Sequence, residues 1–136
     1  MMKSTELTTT ELGRFGERAA ADFLKRKGYR ILERNFRAGR NEIDIIASRR
    51  AEIVFVEVKT RTLSQDGDLP YGTPLEAVDT PKQKRTLAAA SAYLYKSETK
   101  LMPRFDIIEV YLKHRQRLFS SLAVEKICHI EDAFGS

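Results

Sequence analysis

Two acids and a lysine interrupt apolar, β-branched segments in the middle of the chain. Asp44 lies within residues 42–47, while Glu57 and Lys59 lie within residues 53–59. Segments of this composition are typical of buried strands. Because an unpaired buried carboxylate costs several kcal/mol, the acids need a metal ion, a charged partner or a wet cleft. Lys59 alone does not balance both acids, so the pattern predicts a functional site here.

The polar residues 48–50 between the two segments predict a hairpin. Side chains alternate along a strand, so Phe55, Glu57 and Lys59 share one face. A loop of two or four residues places Asp44 opposite Phe55 and on that same face. The two acids are then diagonal neighbours about 7 Å apart, which is close enough for one divalent cation to contact both. A three-residue loop would instead place them on opposite faces.

The ligand chemistry of this hairpin indicates a hard cation. Carboxylate oxygens from Asp44 and Glu57 suit Mg²⁺ or Mn²⁺, and no Cys or His cluster has the spacing of a zinc site. His129 follows Ile127 and Cys128, and we interpret it as a packed strand residue rather than a ligand. A second Glu-x-Lys sequence at residues 98–100 has no apolar flanks and is discounted.

Length and composition predict one globular domain over residues 1–136, with residues 1–8 as a flexible N-terminus. The chain is 42% hydrophobic and 32% charged, and no apolar run approaches the roughly 20 residues that span a membrane. The first residues lack the apolar core of a signal peptide, and the single Cys128 excludes an internal disulfide. We therefore expect a cytoplasmic protein. The net charge of +5 gives weak support for a polyanionic partner.

A first helix is predicted after Thr8, because Thr8 and Glu11 have the spacing of a capping box and Gly28 is a plausible residue just beyond the helix. One stripe of this helix is made of small residues around Glu17. These are Gly13, Gly16, Ala20 and Ala21. Such a stripe allows close packing, which would bring Glu17 to the site. The alternative is that Glu17 is a solvated surface acid.

Two further segments surround the hairpin. Residues 29–36 predict a first strand near a sheet edge, followed by a turn at residues 37–40. Residues 66–74 are dense in Gly, Pro and Asp, so they are either a mobile lid beside the charged strands or an ordinary connector.

A second helix is predicted from Thr80 to Ser97, with Pro81 at its first position. The predicted inner face contains Gln83, Leu87, Ala90, Ser91 and Leu94. The first turn contains three cations, Lys82, Lys84 and Arg85. Because the helix dipole disfavours cations there, they indicate contact with a polyanion, or else a solvated helix end.

Residues 105–112 predict another strand, residues 113–117 a basic turn, and residues 118–130 one or two more strands. The order of helix, three strands, helix and further strands predicts an α/β fold with a mixed central sheet flanked by helices.

These residues resemble the PD-(D/E)xK nuclease core, in the arrangement of archaeal Holliday junction resolvases. The resemblance rests on Glu17, Asp44, residues 57–59 and Gln83. Within that superfamily the chain is most similar to the YraN-like proteins, which are uncharacterised bacterial proteins, over about residues 13–134. The matching segments are residues 16–17, 29–36, 42–44, 55–61, 77–79, 82–83, 104–106 and 130–134.

Two positions depart from the pattern. Ile43 replaces the proline of the motif name, and Asn41 replaces the usual glycine before Glu-Ile-Asp. Because Asn tolerates left-handed conformations, the turn is expected to survive. Neither change removes a ligand.

The resemblance implies a restriction-endonuclease-like core and a metal-dependent DNA endonuclease acting on branched or structured DNA. It implies that Asp44, Glu57 and the Val58 carbonyl hold Mg²⁺ or Mn²⁺. Lys59 would then orient the attacking water or steady the developing charge. The alternative is a nucleic-acid-binding module without turnover, whereas a protein-interaction adaptor would be expected to lack the complete acidic set.

The remaining site residues carry supporting roles in this interpretation. Glu17 completes the acidic shell, Gln83 positions the lysine or a phosphate, and Glu42 is a reserve ligand. The residues expected to bind DNA phosphates are Arg61, Lys82, Lys84 and Arg85. A homodimer is possible, because resolvase-like enzymes act as dimers on two-fold symmetric junctions.

Overall fold

The computed structural model of the protein describes residues 8–63, 80–115 and 121–135. Within these residues the helices are α1 (Thr9–Arg26) and α2 (Thr80–Ser97). The strands are β1 (Arg30–Ala38), β2 (Asn41–Arg49), β3 (Glu52–Thr62), β4 (Met102–Arg115) and β5 (Ser121–Phe134). Neither helix is apolar enough over its length to cross a membrane.

The five strands form one mixed sheet in the order β1-β2-β3-β4-β5. All neighbours are antiparallel except β3 and β4, which are parallel and are connected through α2. Parallel neighbours require such a crossover, because a tight turn reverses the chain. The predicted α/β class, with a mixed central sheet flanked by helices, is confirmed. β1 lies at a sheet edge, as predicted.

Helix α1 begins with the predicted capping box. The Thr8 side chain accepts from the Glu11 N–H, and the Glu11 side chain accepts from the Thr8 N–H. The helix ends at Arg26, and Gly28 follows with a φ of 93°, which glycine adopts without strain. Thr8 therefore belongs to the helix cap rather than to the expected flexible N-terminus, and residues 1–7 lie outside the described residues.

The small-residue stripe of α1 packs directly on β3. Gly16 is so close to Thr60 that a Cβ at position 16 would lie 1.9 Å from the Thr60 Oγ1. Ala20 and Ala21 are buried on the same stripe. The close approach that this stripe predicted is present.

The sheet separates two hydrophobic cores. The α1-side core packs α1 against alternate residues of the central strands, which include Val54, Val56, Ile108 and Val110. The α2-side core packs α2 against the opposite face, which includes Ile46, Ile53, Phe55 and Phe105. Alternation along β3 therefore assigns Glu57 and Lys59 to the α2 side of the sheet.

The β2–β3 hairpin differs from the predicted register. Phe55 lies opposite Ile46 rather than Asp44, so the predicted pairing is wrong by two residues. The strands continue into the predicted polar turn, and only Arg50 and Ala51 remain as the loop. Arg50 has a φ of 57°, which a tight two-residue hairpin turn requires. The loop still has an even number of residues. Each paired residue of β2 therefore shares a face with the same alternate set of β3 residues as predicted.

Other boundaries also differ from prediction. β4 and β5 are each longer than predicted, and Lys113 lies in β4 rather than in a basic turn. On α2, Ser91 is exposed, whereas Thr86 and Ala89 are buried with Ala90. The inner face of α2 is therefore rotated from the predicted one. The predicted lid at residues 66–74 lies outside the described residues.

Candidate active site

Strand β2 changes its orientation at Asp44. Ile45 packs in the α1-side core, whereas Ile43 packs in the α2-side core. In a regular strand these two side chains would share a face. On the neighbouring strand β1, Asn35 lies opposite Asp44, because the residues before and after Asn35 pair with Ile45 and Ile43. Asn35 has a φ of 54°. The pairing of β2 with β3 ends at Ile45, so Asp44 lies where the two strands separate.

Asp44 and Glu57 are brought together at this point. The Asp44 Oδ2 accepts a hydrogen bond from the Val58 N–H at 2.8 Å, which fixes the carboxylate against β3. Burial, together with the negative charge of Glu57, raises the pKa of Asp44. The Glu57 side chain is only 7% exposed. Because two acids lie together in a partly closed space, a positive charge beside them is strongly stabilising.

Two lysine ammonium groups supply positive charge at the same oxygen, the Glu57 Oε2. The Lys59 Nζ lies 3.6 Å from the Glu57 Oε2, and the Lys82 Nζ from α2 lies 2.5 Å from it. Burial and the adjacent charge of Lys82 lower the pKa of Lys59. Burial alone would lower the pKa of Lys82 as well, but the hydrogen bond and charge of Glu57 raise it. Lys82, predicted as a DNA contact, therefore belongs to the acidic cluster.

Glu17 lies beside Asp44, and its carboxyl also interacts with the charge of Glu42. Burial, with a contribution from the charge of Glu42, raises the pKa of Glu17, while hydrogen-bonding contacts with Asn35 and Asp44 oppose this shift. Glu42 is paired with Arg37 at 3.8 Å. Glu17 is thus half-buried beside Asp44, as its small-residue stripe predicted, and Glu42 is directed toward a surface arginine.

The other predicted residues of α2 are at its N-terminal end. Gln83 is half-buried next to Lys82, whereas Lys84 and Arg85 are exposed. The exposed pair is accessible to a large polyanion.

Arg61, also predicted to bind DNA, donates from Nε to the Glu109 Oε2 at 3.1 Å. Glu109 lies opposite Lys59 on β4 and also accepts a hydrogen bond from the Tyr111 hydroxyl. Burial, together with Glu109, raises the pKa of Tyr111 to about 12. The sequence interpretation missed Glu109 and Tyr111. The signal was available, because Glu109 is an acid within a predicted apolar strand, as Asp44 and Glu57 are.

A second polar cluster lies at the other end of β3 and β4. Arg104 donates to both oxygens of Asp106, at 2.9 and 2.8 Å, and to the Tyr29 hydroxyl at 2.6 Å. His129 is packed, as predicted, with Nε2 2.7 Å from Asp106 and Nδ1 2.9 Å from the Lys27 ammonium. Because the ammonium can only donate, Nδ1 accepts and Nε2 donates. We define Arg104, Asp106, His129 and Tyr29 as the Arg104 network.

The donor set suits a hard divalent cation. Among the described residues, no three His, Cys, Asp or Glu side chains gather closely enough to hold one metal ion together. Asp44 and Glu57 are nevertheless two adjacent carboxylates, and Mg²⁺ is commonly bound by one or two carboxylates while it keeps several waters. Mg²⁺ or Mn²⁺ therefore fits the chemistry of the pair.

The mixed sheet, the helices on its two faces and the acids at the strand separation define an α/β protein with an acidic site where its central strands separate. Residues 16–110 match the sequence profile of the uncharacterised protein family UPF0102, the YraN-like family, and the chain belongs to it. A UPF0102 protein of Caldanaerobacter subterraneus subsp. tengcongensis is 47% identical over 124 residues, which cover 90% of this chain and 93% of that protein. A UPF0102 protein of Chlorobium chlorochromatii is 45% identical over 129 residues, covering 93% of each chain.

Among solved structures, the chain is similar to Pyrococcus furiosus SfsA, whose structure was determined in complex with Ca²⁺. The TM-score is 0.46 and the sequence identity is 15%. The match covers 90% of this chain and 65% of SfsA, so the chain spans less than two thirds of that protein.

Proposed function

We propose that the protein is a metal-dependent DNA endonuclease that hydrolyses phosphodiester bonds in branched or otherwise structured DNA, as Holliday junction resolvases do. The observation that carries this proposal is the adjacency of the Asp44 and Glu57 carboxylates where β2 and β3 separate, with the Lys59 ammonium 3.6 Å from Glu57. Glu57 is buried and Asp44 is half-buried, so the two acids repel each other, and a chain without a use for them would gain by replacing them with apolar residues.

Each residue of the hairpin has a distinct role in the proposed reaction. Asp44 and Glu57, with the Val58 carbonyl, would hold Mg²⁺ or Mn²⁺. The bound cation would polarise the scissile phosphate and make water a stronger nucleophile. Lys59 orients that water or stabilises the charge that develops on the phosphate. Its position on the same strand face as Glu57 keeps it beside the metal ligands.

The surrounding residues support binding. Glu17 completes the acidic shell beside Asp44, with Glu42 in reserve, and Gln83 positions the lysine or a phosphate. The exposed Lys84 and Arg85 contact DNA phosphates, together with Arg61 and Lys82. A homodimer would place two such sites on a two-fold symmetric junction. Sedimentation at micromolar concentration tests the dimer directly.

Cleavage of labelled DNA tests the activity. Four-way, flap, duplex and single-stranded substrates are incubated with Mg²⁺ or Mn²⁺, and we expect the wild type to cut a branched substrate. Asp44→Asn and Glu57→Gln each remove an anionic ligand, so cleavage should be lost while DNA binding survives or strengthens. Asp22→Asn on α1 and Glu125→Gln on β5 neutralise exposed acids and serve as matched controls. Wild-type cleavage rates in Asp44→Asn would refute the site.

A nucleic-acid-binding module without turnover is the second candidate. The observation that favours it is the Lys82–Glu57 ion pair, because Glu57 already has a cation from the protein itself. This candidate is selected if the wild type binds junctions but cuts none of the substrates and shows no metal binding by calorimetry.

A further inference from the structure

Lys82 differs from the other site residues in where it comes from. Asp44, Glu57 and Lys59 lie on the β2–β3 hairpin, whereas Lys82 extends from the first turn of α2. Its ammonium nevertheless makes the shorter of the two lysine contacts with the Glu57 Oε2, at 2.5 Å against 3.6 Å for Lys59. The same oxygen belongs to the carboxylate that would bind the metal.

We propose that Lys82 and a divalent cation compete for the Glu57 carboxylate, so that metal binding displaces Lys82 and makes its ammonium available to a substrate phosphate. This inference rests on the proposed function, because it assigns a second role to a residue of the same site. Lys82 thereby couples the occupancy of the metal site to the binding of DNA.

Electrostatics requires the competition. A divalent cation bound to Asp44 and Glu57 brings two positive charges next to an ammonium that contacts one of the same oxygens. Like charges this close and this shielded from water repel strongly. The pair therefore cannot keep its present geometry once the metal is bound.

Burial decides which partner moves. The Glu57 side chain is 7% exposed and is held in the middle of the sheet, while the Lys82 side chain is 33% exposed. A lysine side chain is long and rotates readily, so its ammonium can move outward while its stem stays on the protein.

Once displaced, the Lys82 ammonium would add to the positive charge at the N-terminal end of α2. Lys84 and Arg85 lie exposed on the same helical turn. The positive end of the α2 dipole disfavours three cations in this turn and favours a phosphate among them. A DNA phosphate would thus stabilise the displaced Lys82, and the metal and DNA would each strengthen the binding of the other.

Calorimetric titration with Mn²⁺ tests the competition without any measurement of cleavage. Lys82→Gln removes the competing charge, and we expect Mn²⁺ affinity to rise by at least about fivefold. Lys82→Arg keeps a cation at this position and should remain within about twofold of wild type. Lys84→Gln removes an equal charge from an exposed position of the same turn, so it controls for the general change in electrostatic potential and should also remain within about twofold.

The outcomes separate this inference from the proposed function. If Lys82→Gln binds Mn²⁺ no more tightly than Lys84→Gln, the competition is refuted while the metal site stands. If neither wild type nor Lys82→Gln binds Mn²⁺, both the metal site and the competition are refuted. Tighter binding by Lys82→Gln in a protein that cuts no DNA supports the competition and leaves only turnover refuted.

Discussion

Lys59 and Lys100 each follow a glutamate at the same Glu-x-Lys spacing, yet their surroundings differ completely. Lys59 lies half-buried on β3 beside the acids, whereas Lys100 is exposed after the end of α2. The sequence distinguished the two copies by their flanking residues alone. The chemistry of this chain therefore depends on the strand that carries the motif.

The two lysines form a matched pair for mutagenesis. Lys59→Ala removes a cation that touches water or phosphate in the proposed reaction, so the cleavage rate should fall by about 100-fold or more and DNA affinity by about twofold. Lys100→Ala should change neither. Single-turnover cleavage and fluorescence anisotropy measure the two effects. Equal loss in both variants would mean that general charge, rather than position, is responsible.

At the residue scale, the sequence singled out the acids but not the side chains that contact them. Asp44 and Glu57 were identified because burying an acid in an apolar strand costs free energy, so an acid at such a position needs an explanation. The contact of Lys82 with Glu57 was missed, since the rotation of α2 against the sheet determines which side chains of its first turn point inward. Asn35 was missed because the sequence does not reveal its left-handed conformation.

At the scale of elements, α1 depends on one close contact with β3. Gly16→Ala places a Cβ 1.9 Å from the Thr60 Oγ1, so the helix must move away and the free energy of unfolding should fall by roughly 1–3 kcal/mol. Gly13→Ala is the control, because nothing lies within 4 Å of its Cβ. Better helix propensity should make it neutral or stabilising by up to about 1 kcal/mol.

Urea unfolding measures both α1 variants. Adding Thr60→Ala to Gly16→Ala removes the hydroxyl and methyl groups that clash and should restore part of the loss. Equal stability of Gly16→Ala and Gly13→Ala would show that α1 does not need this close approach.

The first turn of α2 supplies a second element-scale prediction. Lys84→Gln and Arg85→Gln each remove an exposed cation, so each should weaken DNA binding and reduce the slope of log K against log salt by about one. Lys96→Gln is the control at the other end of the same helix. Anisotropy titrations at several salt concentrations measure the slope. An unchanged slope in the double variant would exclude this turn from the DNA interface.

Elements were predicted well where a local signal defines them. The capping box and Gly28 predicted α1, and alternation with a polar turn predicted the hairpin. The register was wrong by two residues because the pattern could not show how far Ser48 and Arg49 continue the strand before the chain turns. The break in alternation at Asp44 could not be predicted from the sequence either, because it depends on how β2 pairs with β1.

At the scale of the whole molecule, the Arg104 network connects the segment after α1 with β4 and β5. Although burial alone would raise the pKa of Asp106, hydrogen bonds from His129, Arg104 and the Asp132 N–H lower it. A carboxylate with a lowered pKa stabilises the fold above its unfolded pKa, near 4, and this stabilisation is lost as the pH falls through the folded value.

Asp106→Asn should therefore destabilise the protein by about 3 kcal/mol at pH 7, because it leaves a buried arginine without its main counter-charge. The difference from wild type should shrink as the pH falls below about 4, because the Asp106 carboxyl of the unfolded wild-type chain then takes up a proton while the folded one is still ionised. Denaturant unfolding from pH 7 to 3.5 measures it. Asp22→Asn is the exposed control and should stay within about 0.5 kcal/mol of wild type. A difference that is constant with pH would contradict the ionic role.

The fold class was predictable because element order restricts the possible sheets to a few. The Arg104 network was not predictable, since it joins residues that are far apart in the chain, such as Tyr29 and Arg104. Only the assembled sheet makes them neighbours.

The parallel pairing of β3 with β4 also affects how the chain folds during synthesis. Short turns connect β1, β2 and β3, so these strands can pair as soon as they leave the ribosome. About forty residues separate β3 from β4, which at about 5–20 residues per second delays the partner strand by roughly 2–8 seconds. During that interval β3 presents a bare, apolar edge to other nascent chains. The strand that carries Glu57 and Lys59 therefore stays open to misassociation until β4 has been synthesised.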